Sequence, residues 1–232
     1  MARIARLVVP GLPHHVTQRG NGRNRTFFQD SDYRLYLDLF AEAAARARLE
    51  VWAYCLMPNH VHAIVVPANE DGLRRGFAEL HRRYTSFVNA RARRTGHLWQ
   101  GRFGSAPMDE RHLMNAFRYV SLNPVRAGLA ARAQDWPWSS ARAHLSGRDD
   151  GLVRVAPGLE RAGDFAAFLD QAFDEAADYA PLRKAEGVGR PLGPADWIEQ
   201  LETQTGRTLA PRKRGPKAGA RDGEGDGLSL GI

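Results

Sequence analysis

Val51-Trp52-Ala53-Tyr54-Cys55-Leu56-Met57-Pro58-Asn59-His60-Val61-His62-Ala63-Ile64-Val65-Val66-Pro67 is the stretch on which the reading of this chain turns. Two apolar, strand-forming runs flank Pro58-Asn59, and two residues between such runs mark a tight hairpin. A strand sends residues i and i+2 to one face. His60 and His62 therefore project together, roughly 6 to 7 Å apart at a rise of about 3.3 Å per residue, while Val61 points into a core. That geometry suits chelation of a metal ion. It equally suits one imidazole hydrogen-bonded inside and another at the surface, so the pair alone leaves the function open.

On the N-terminal side, His14 to Arg19 reads as a strand that runs into Gly20-Asn21-Gly22-Arg23-Asn24-Arg25, where backbone N–H groups and guanidinium groups can approach phosphates. Tyr33, Tyr36, Leu37, Phe40 and Ala44 form the apolar stripe of a helix ending near Leu49. After the hairpin, a second helix is expected from about Gly72 to Arg94, with Leu73, Phe77, Leu80, Tyr84 and Phe87 on its stripe. A further strand is expected at Phe103 to Met108. A third helix follows from Asp109 or Glu110 to about Leu122, because Pro124 disfavours helical geometry at Asn123. The order strand, helix, strand, strand, helix, strand fits an α+β, ferredoxin-like split βαβ sheet with helices on one face. Residues 1–150 carry this pattern. Residues 151–210 read as a small helical extension, and 211–232 as a basic, Gly-rich disordered tail containing Arg212-Lys213-Arg214-Gly215-Pro216-Lys217.

The 232 residues carry 33 Lys and Arg against 26 Asp and Glu, a net charge of +7, and all but three of the basic residues are Arg. An Arg-dominated surface suits bidentate contacts to phosphate and points to nucleic acid before membrane, although a GC-rich coding sequence gives the same bias. The single cysteine, Cys55, excludes an intrachain disulfide and suits a reducing compartment. The apolar run within Met1 to Pro10 is too short for a signal peptide. Nowhere do about 18 consecutive apolar residues occur, so a cytoplasmic protein without a membrane span is expected.

Two imidazoles hold a divalent ion poorly without a third ligand. The third helix offers a candidate: its apolar stripe is Leu113, Ala116, Phe117 and Val120, whereas His112, Asn115, Tyr119 and Asn123 form a separate polar stripe. Of the six tyrosines, only Tyr119 combines a helix, a polar stripe and an amide four residues on. A phenol with a pKa near 10 needs help to act as a nucleophile, and a half-buried structural tyrosine is the alternative.

Leu56-Met57-Pro58-Asn59-His60-Val61-His62, Gly96-His97-Leu98-Trp99-Gln100-Gly101-Arg102-Phe103, Tyr119-Val120-Ser121-Leu122-Asn123-Pro124-Val125-Arg126-Ala127-Gly128-Leu129 and Trp136-Pro137-Trp138-Ser139-Ser140 occur in this order. Together they resemble the REP-associated tyrosine transposases, a branch of the single-tyrosine HUH transposases, over roughly Arg3 to Ser140. The resemblance implies an HUH-endonuclease type of ferredoxin-like domain that cuts and rejoins single-stranded DNA beside palindromic hairpins. It assigns His60 and His62 to the metal, Asn123 as third ligand, and Tyr119 as the nucleophile that forms a 5′-phosphotyrosine. A mixed imidazole and amide site with open positions suits Mg²⁺ or Mn²⁺.

For DNA contacts, Arg23, Arg25, Arg82, Arg102 and Arg126 are candidates, with Trp99 or Phe103 as a base-stacking ring. Burial against the sheet is the other reading for Trp99. Two further functions stay open: a hairpin-DNA-binding regulator of the same fold that does not cleave, and a metal-dependent hydrolase that uses water. Monomer and homodimer are both compatible with the sequence.

Overall fold

The computed structural model describes residues 6–210. The hairpin forms as the sequence requires. Strands β2 (Leu49–Met57) and β3 (His60–Pro67) pair antiparallel, with Met57 opposite His60 across the Pro58-Asn59 turn. Strand β1 (His14–Arg19) pairs antiparallel with the other edge of β3, and β4 (Gly104–Pro107) pairs with β1, giving the order β2-β3-β1-β4. Helix α1 (Asp30–Ala47) connects β1 to β2, and α2 (Gly72–Arg91) connects β3 to β4. This is the ferredoxin-like arrangement expected from the element order.

Alternation along the strands sorts residues between two cores. Val16, Leu56, Val61, Ala63 and Val65 face α1 and α2, meeting Tyr36, Phe40, Leu73, Phe77, Leu80 and Tyr84. On the opposite face, Cys55, Met57, Ile64 and Ala106 meet Leu113, Ala116, Phe117 and Val120 of α3 (Glu110–Arg126). The one-face expectation therefore holds for α1 and α2 and not for α3, because a sheet with apolar side chains on both faces must cover both. A register shift between Val51 and Ala53 moves Ala53 to the α3 side, as a bulge does.

Helix α3 continues past Pro124 to Arg126, beyond the expected end at Leu122. Proline removes one N–H from the ladder, but the Ala127 N–H still bonds to Asn123 C=O at 3.0 Å and closes the final turn.

The segment after α3 packs into the sheet unit. Residues 138–155 run along the free edge of β2, where the Leu56 N–H reaches Trp138 C=O and the Arg154 N–H reaches Val51 C=O, both at 2.8 Å. An otherwise open strand edge is thereby covered. Short helices α4 (Ala141–Ser146), α5 (Ala156–Ala162) and α6 (Phe165–Asp170) follow. Phe165, Phe168, Tyr179 and Leu182 then extend the α3 core. Helix α7 (Ala180–Val188) lies against β4 and β1, and α8 (Ala195–Thr205) packs Leu201 with Leu7, Val9 and Leu209. Gly104 permits the approach of α7: a Cβ there would meet Glu186 C=O at 2.6 Å and Thr17 Oγ1 at 2.8 Å. The expected disordered tail and its Arg212 to Lys217 run lie outside the described residues. Among the described residues, no helix is long and apolar enough to cross a membrane.

Candidate active site

The α3 face of the sheet carries a row of polar groups at one end. Register places Thr17 opposite His62 and Arg19 opposite His60, so β1 brings His15, Thr17 and Arg19 to the face that bears the histidine pair. The rings of His60 and His62 lie 4.9 Å apart, centroid to centroid, and nearly perpendicular. His62 is fully buried, and its Nε2 is buried without a hydrogen-bond partner. Burial first, then the neighbouring Arg19 charge, holds the His60 pKa down to about 4. His62 lies well below the ordinary histidine value, through burial and then the repulsion of nearby cationic groups. Both imidazoles are thus neutral at physiological pH, the form in which a ring nitrogen ligates a metal.

Helix α3 sets Tyr119 against this pair. Its ring lies 5.3 Å from that of His62 and 6.0 Å from that of His15, both edge-on. The side chain is 6% exposed, and burial followed by the Glu186 charge raises its pKa above the usual phenol value. Arg183 of α7 acts on the phenol in the opposite sense, as does the charge of Arg126. The Arg126 guanidinium stands 5.2 Å from the Tyr119 ring and pairs with Glu175 at 2.7 Å. Glu186 approaches from α7, with Oε1 3.5 Å from the Tyr119 hydroxyl and 4.0 Å from His62 Nδ1, and Oε2 3.6 Å from Arg19.

A cleft of about 470 Å³ opens beside these groups. Arg19, Arg23, His60, His62, Gln100, Arg102, Arg183 and Glu186 are among the residues lining it. The Gly20 loop is fastened here by the hairpin turn: the Gly20 N–H bonds to Asn59 C=O at 2.8 Å and the Thr26 N–H to Pro58 C=O at 2.9 Å. A Cβ on Gly20 would sit 2.2 Å from Asn24 C=O, so only glycine permits this loop, which delivers Arg23 to the cleft.

Of the expected site residues, the structure brings His60, His62 and Tyr119 into contact and places Arg23 and Arg102 on the cleft wall. Asn123 is buried one helical turn beyond Tyr119 and is not among the residues lining the cleft. Arg25 is exposed on the same loop and also stands outside the lining. Arg82 faces outward from α2 and pairs with Glu79 at 2.9 Å. Trp99 is only 7% exposed, packed against Tyr36, His81 and Tyr84, so its ring faces belong to the core and are not open to a base.

The sequence reading missed His15, Arg19, Arg183 and Glu186. Strand alternation from β1 could have supplied the first two once its pairing with β3 was assumed. Nothing local signals the latter two, which reach the site through the docking of α7.

The described residues contain no closed cluster of three or more His, Cys, Asp or Glu side chains around a point. The donor set is instead open: two neutral imidazoles, one with an unsatisfied buried nitrogen. Two neutral imidazoles are donors that a divalent cation can use, and so open a set leaves positions for further ligands.

The model of the family described as "Transposase IS200 like" matches residues 9–123, from just before β1 to the residue before Pro124. The chain belongs to that family. Two curated relatives agree with the IS200-like assignment. A Haemophilus influenzae protein provisionally named a REP-associated tyrosine transposase is 30% identical over 102 residues, 39% of this chain and 58% of that protein. The REP-associated tyrosine transposase of Escherichia coli is 27% identical over 96 residues, 39% of this chain and 53% of that protein. The chain thus spans little more than half the length of these relatives. A solved structure of a REP-associated tyrosine transposase bound to a REP hairpin superposes with a TM-score of 0.55, covering 75% of this chain and 93% of that one at 20% identity. That likeness shows that the IS200-like fold is shared.

Proposed function

We propose that this protein cleaves and rejoins single-stranded DNA beside palindromic hairpins, as a metal-dependent single-strand endonuclease and strand transferase. The observation that carries the reading is the contact of the Tyr119 ring with His62 at 5.3 Å beside a cleft lined by Arg19, Arg23 and Arg102. The two family relatives named as transposases, and the solved relative bound to a REP hairpin, support it. A phosphodiester entering the cleft meets guanidinium groups that bind its oxygens and a phenol held in place by α3.

His60 and His62, with Asn123 as the third ligand proposed from the sequence, would hold Mg²⁺ or Mn²⁺. When bound, the ion supplies Lewis-acid polarisation of the scissile phosphate. Tyr119 Oη then forms a bond to phosphorus while the P–O3′ bond breaks. The phenol loses one proton and the departing 3′ oxygen gains one, so the products are a 5′-phosphotyrosine and a free 3′-hydroxyl. The phosphodiester count is conserved, which lets a second 3′-hydroxyl reverse the step without a nucleotide cofactor. Arg183 stabilises the anionic form of the phenol against the opposing effects of burial and Glu186. A monomer could complete the site in its own chain, because Tyr119 already meets His62 there.

The second reading, a hairpin-binding regulator that does not cleave, draws on the burial of Tyr119 and the carboxyl beside its hydroxyl. One experiment separates them. Wild type and Tyr119→Phe are incubated with a labelled hairpin oligonucleotide bearing single-stranded flanks, with Mg²⁺ or Mn²⁺. The expected outcome is cleavage with a covalent protein–DNA adduct that Tyr119→Phe abolishes. Binding without cleavage by the wild type supports the regulator, and cleavage that survives in Tyr119→Phe points to water as nucleophile.

A further inference from the structure

We infer that His15 is a positioning residue that sets the tautomer of His62, and that Asn59 does the same for His60, so that both histidines present Nε2 as a lone pair to the site. The inference rests on the metal reading proposed above and adds residues outside the His-x-His pair.

The first half comes from the contact between β1 and β3. His15 Nε2 lies 3.0 Å from His62 Nδ1. The two ring planes differ by 10° and their centroids are 5.2 Å apart, the separation that a head-on, in-plane contact between ring nitrogens leaves. Both side chains are buried, His15 at 2% exposed and His62 at 0%. Burial of both rings disfavours a charged imidazole at either position. Two neutral imidazoles meeting nitrogen to nitrogen require one N–H and one lone pair. If His62 donates from Nδ1, its Nε2 is left as a lone pair. If His62 accepts, Nε2 carries a hydrogen in a buried position where no partner receives it. Nε2 has no protein partner in either tautomer, and only the first leaves the lone pair that a cation takes, so the metal reading selects the first arrangement.

Asn59 fixes His60 by a cleaner route. Its Nδ2 donates to Arg23 C=O at 2.9 Å, which leaves Oδ1 to face His60 Nδ1 at 2.6 Å. The amide oxygen only accepts, so His60 Nδ1 carries the hydrogen and Nε2 the lone pair. The same Asn59 thereby couples the Arg23 loop to the His60 ring. Second-layer hydrogen bonds of this kind fix ring orientation, and their loss costs about 10- to 100-fold in metal affinity.

The test uses the full chain. Long-range ¹H–¹⁵N spectra of the metal-free protein report which nitrogen of His62 is protonated, and Mn²⁺ affinity is followed by electron paramagnetic resonance. Wild type should show His62 protonated at Nδ1. His15→Phe, which keeps an aromatic ring without nitrogens, should lose that single tautomer and weaken Mn²⁺ binding by about 10- to 100-fold. His15→Gln, which restores an acceptor oxygen, should recover part of the affinity. Protonation of His62 at Nε2 in the wild type, or Mn²⁺ affinity in folded His15→Phe within twofold of wild type, overturns the role of His15 while leaving the metal reading in place. A wild type that binds no Mn²⁺ overturns the metal reading and this inference with it. Should His15→Phe fail to fold, the wild-type tautomer and Asn59→Ala, in the hairpin turn, decide: Asn59→Ala should weaken Mn²⁺ binding comparably, and unchanged binding refutes the pairing.

Discussion

The hydroxyl of Tyr119 lies 3.5 Å from Oε1 of Glu186, a carboxyl that arrives 67 residues later in the chain on a helix outside the matched family region. The same carboxyl lies 3.6 Å from Arg19 and lines the cleft. Its pKa is raised, by burial first, against the opposing pull of Arg19, the Tyr119 hydrogen bond and Arg183. Once ionised, it places a negative charge where a phosphate would enter.

Glu186→Gln should therefore strengthen binding of a single-stranded oligonucleotide. Removal of one like charge at a partly buried site changes binding by about 1 kcal/mol, or roughly fivefold in Kd. The difference should be largest at neutral pH and shrink on acidification, because the wild-type carboxyl takes up a proton at a higher pH than an ordinary glutamate and then resembles the glutamine. Fluorescence anisotropy across pH measures this. Equal affinities at pH 7.5 would show that Glu186 does not oppose DNA.

Asp32 and Arg91 tie the start of α1 to the end of α2. Asp32 is fully buried, accepts from the Phe28 N–H at 2.9 Å and the Gln29 N–H at 3.3 Å, and is bridged by both terminal nitrogens of Arg91. Burial pushes its pKa up, but the Arg91 hydrogen bond, the Phe28 and Gln29 N–H groups and the Arg91 charge outweigh it, so the net shift is downward. A depressed carboxylate contributes stability that is fully present above the unfolded value, about 3.9, and is lost as pH falls through the lower folded value. Asp32→Asn should cost about 2–3 kcal/mol at pH 7, since the partly exposed Arg91 recovers some hydration. In urea unfolding monitored by circular dichroism, the gap between the two proteins should narrow below about pH 4. A gap that stays constant down to pH 2 would show that the stabilisation does not depend on ionisation of the Asp32 carboxyl.

The sheet and the histidine pair were legible in the sequence for a local reason. A two-residue Pro58-Asn59 turn fixes the register of β2 and β3, and once His60 faces Met57 the positions of His62 and Val61 follow from alternation. Tyr119 was legible through helical periodicity, which needs only the distinction between two stripes on α3. Trp99 was harder, because a tryptophan beside Gly and Arg looks the same in sequence whether it stacks on a base or fills a core. The structure resolves it through Tyr36, His81 and Tyr84, contributed by two different helices. Glu186 and Arg183 had no local signature. Their place depends on Gly104 leaving room for α7 against β4, a long-range fit that no pattern within residues 180–188 encodes.

Arg23 and Arg82 give the sharpest test of the cleft as the DNA-binding surface. Both were candidate phosphate contacts from the sequence, yet Arg23 lines the cleft and Arg82 is held by Glu79 on the outer side of α2. Each phosphate contact contributes a released counterion to the salt dependence of binding. Arg23→Ala should lower affinity for a hairpin oligonucleotide with single-stranded flanks by a similar factor for all flank sequences, and should reduce the slope of log K against log salt by about 1. Arg82→Ala should leave both quantities close to wild type. The measurement is a salt titration of binding in the Tyr119→Phe background, where no covalent adduct forms to distort the equilibrium. A reversed pattern, with the slope falling in Arg82→Ala and unchanged in Arg23→Ala, would move the DNA from the cleft to the outer face of α2.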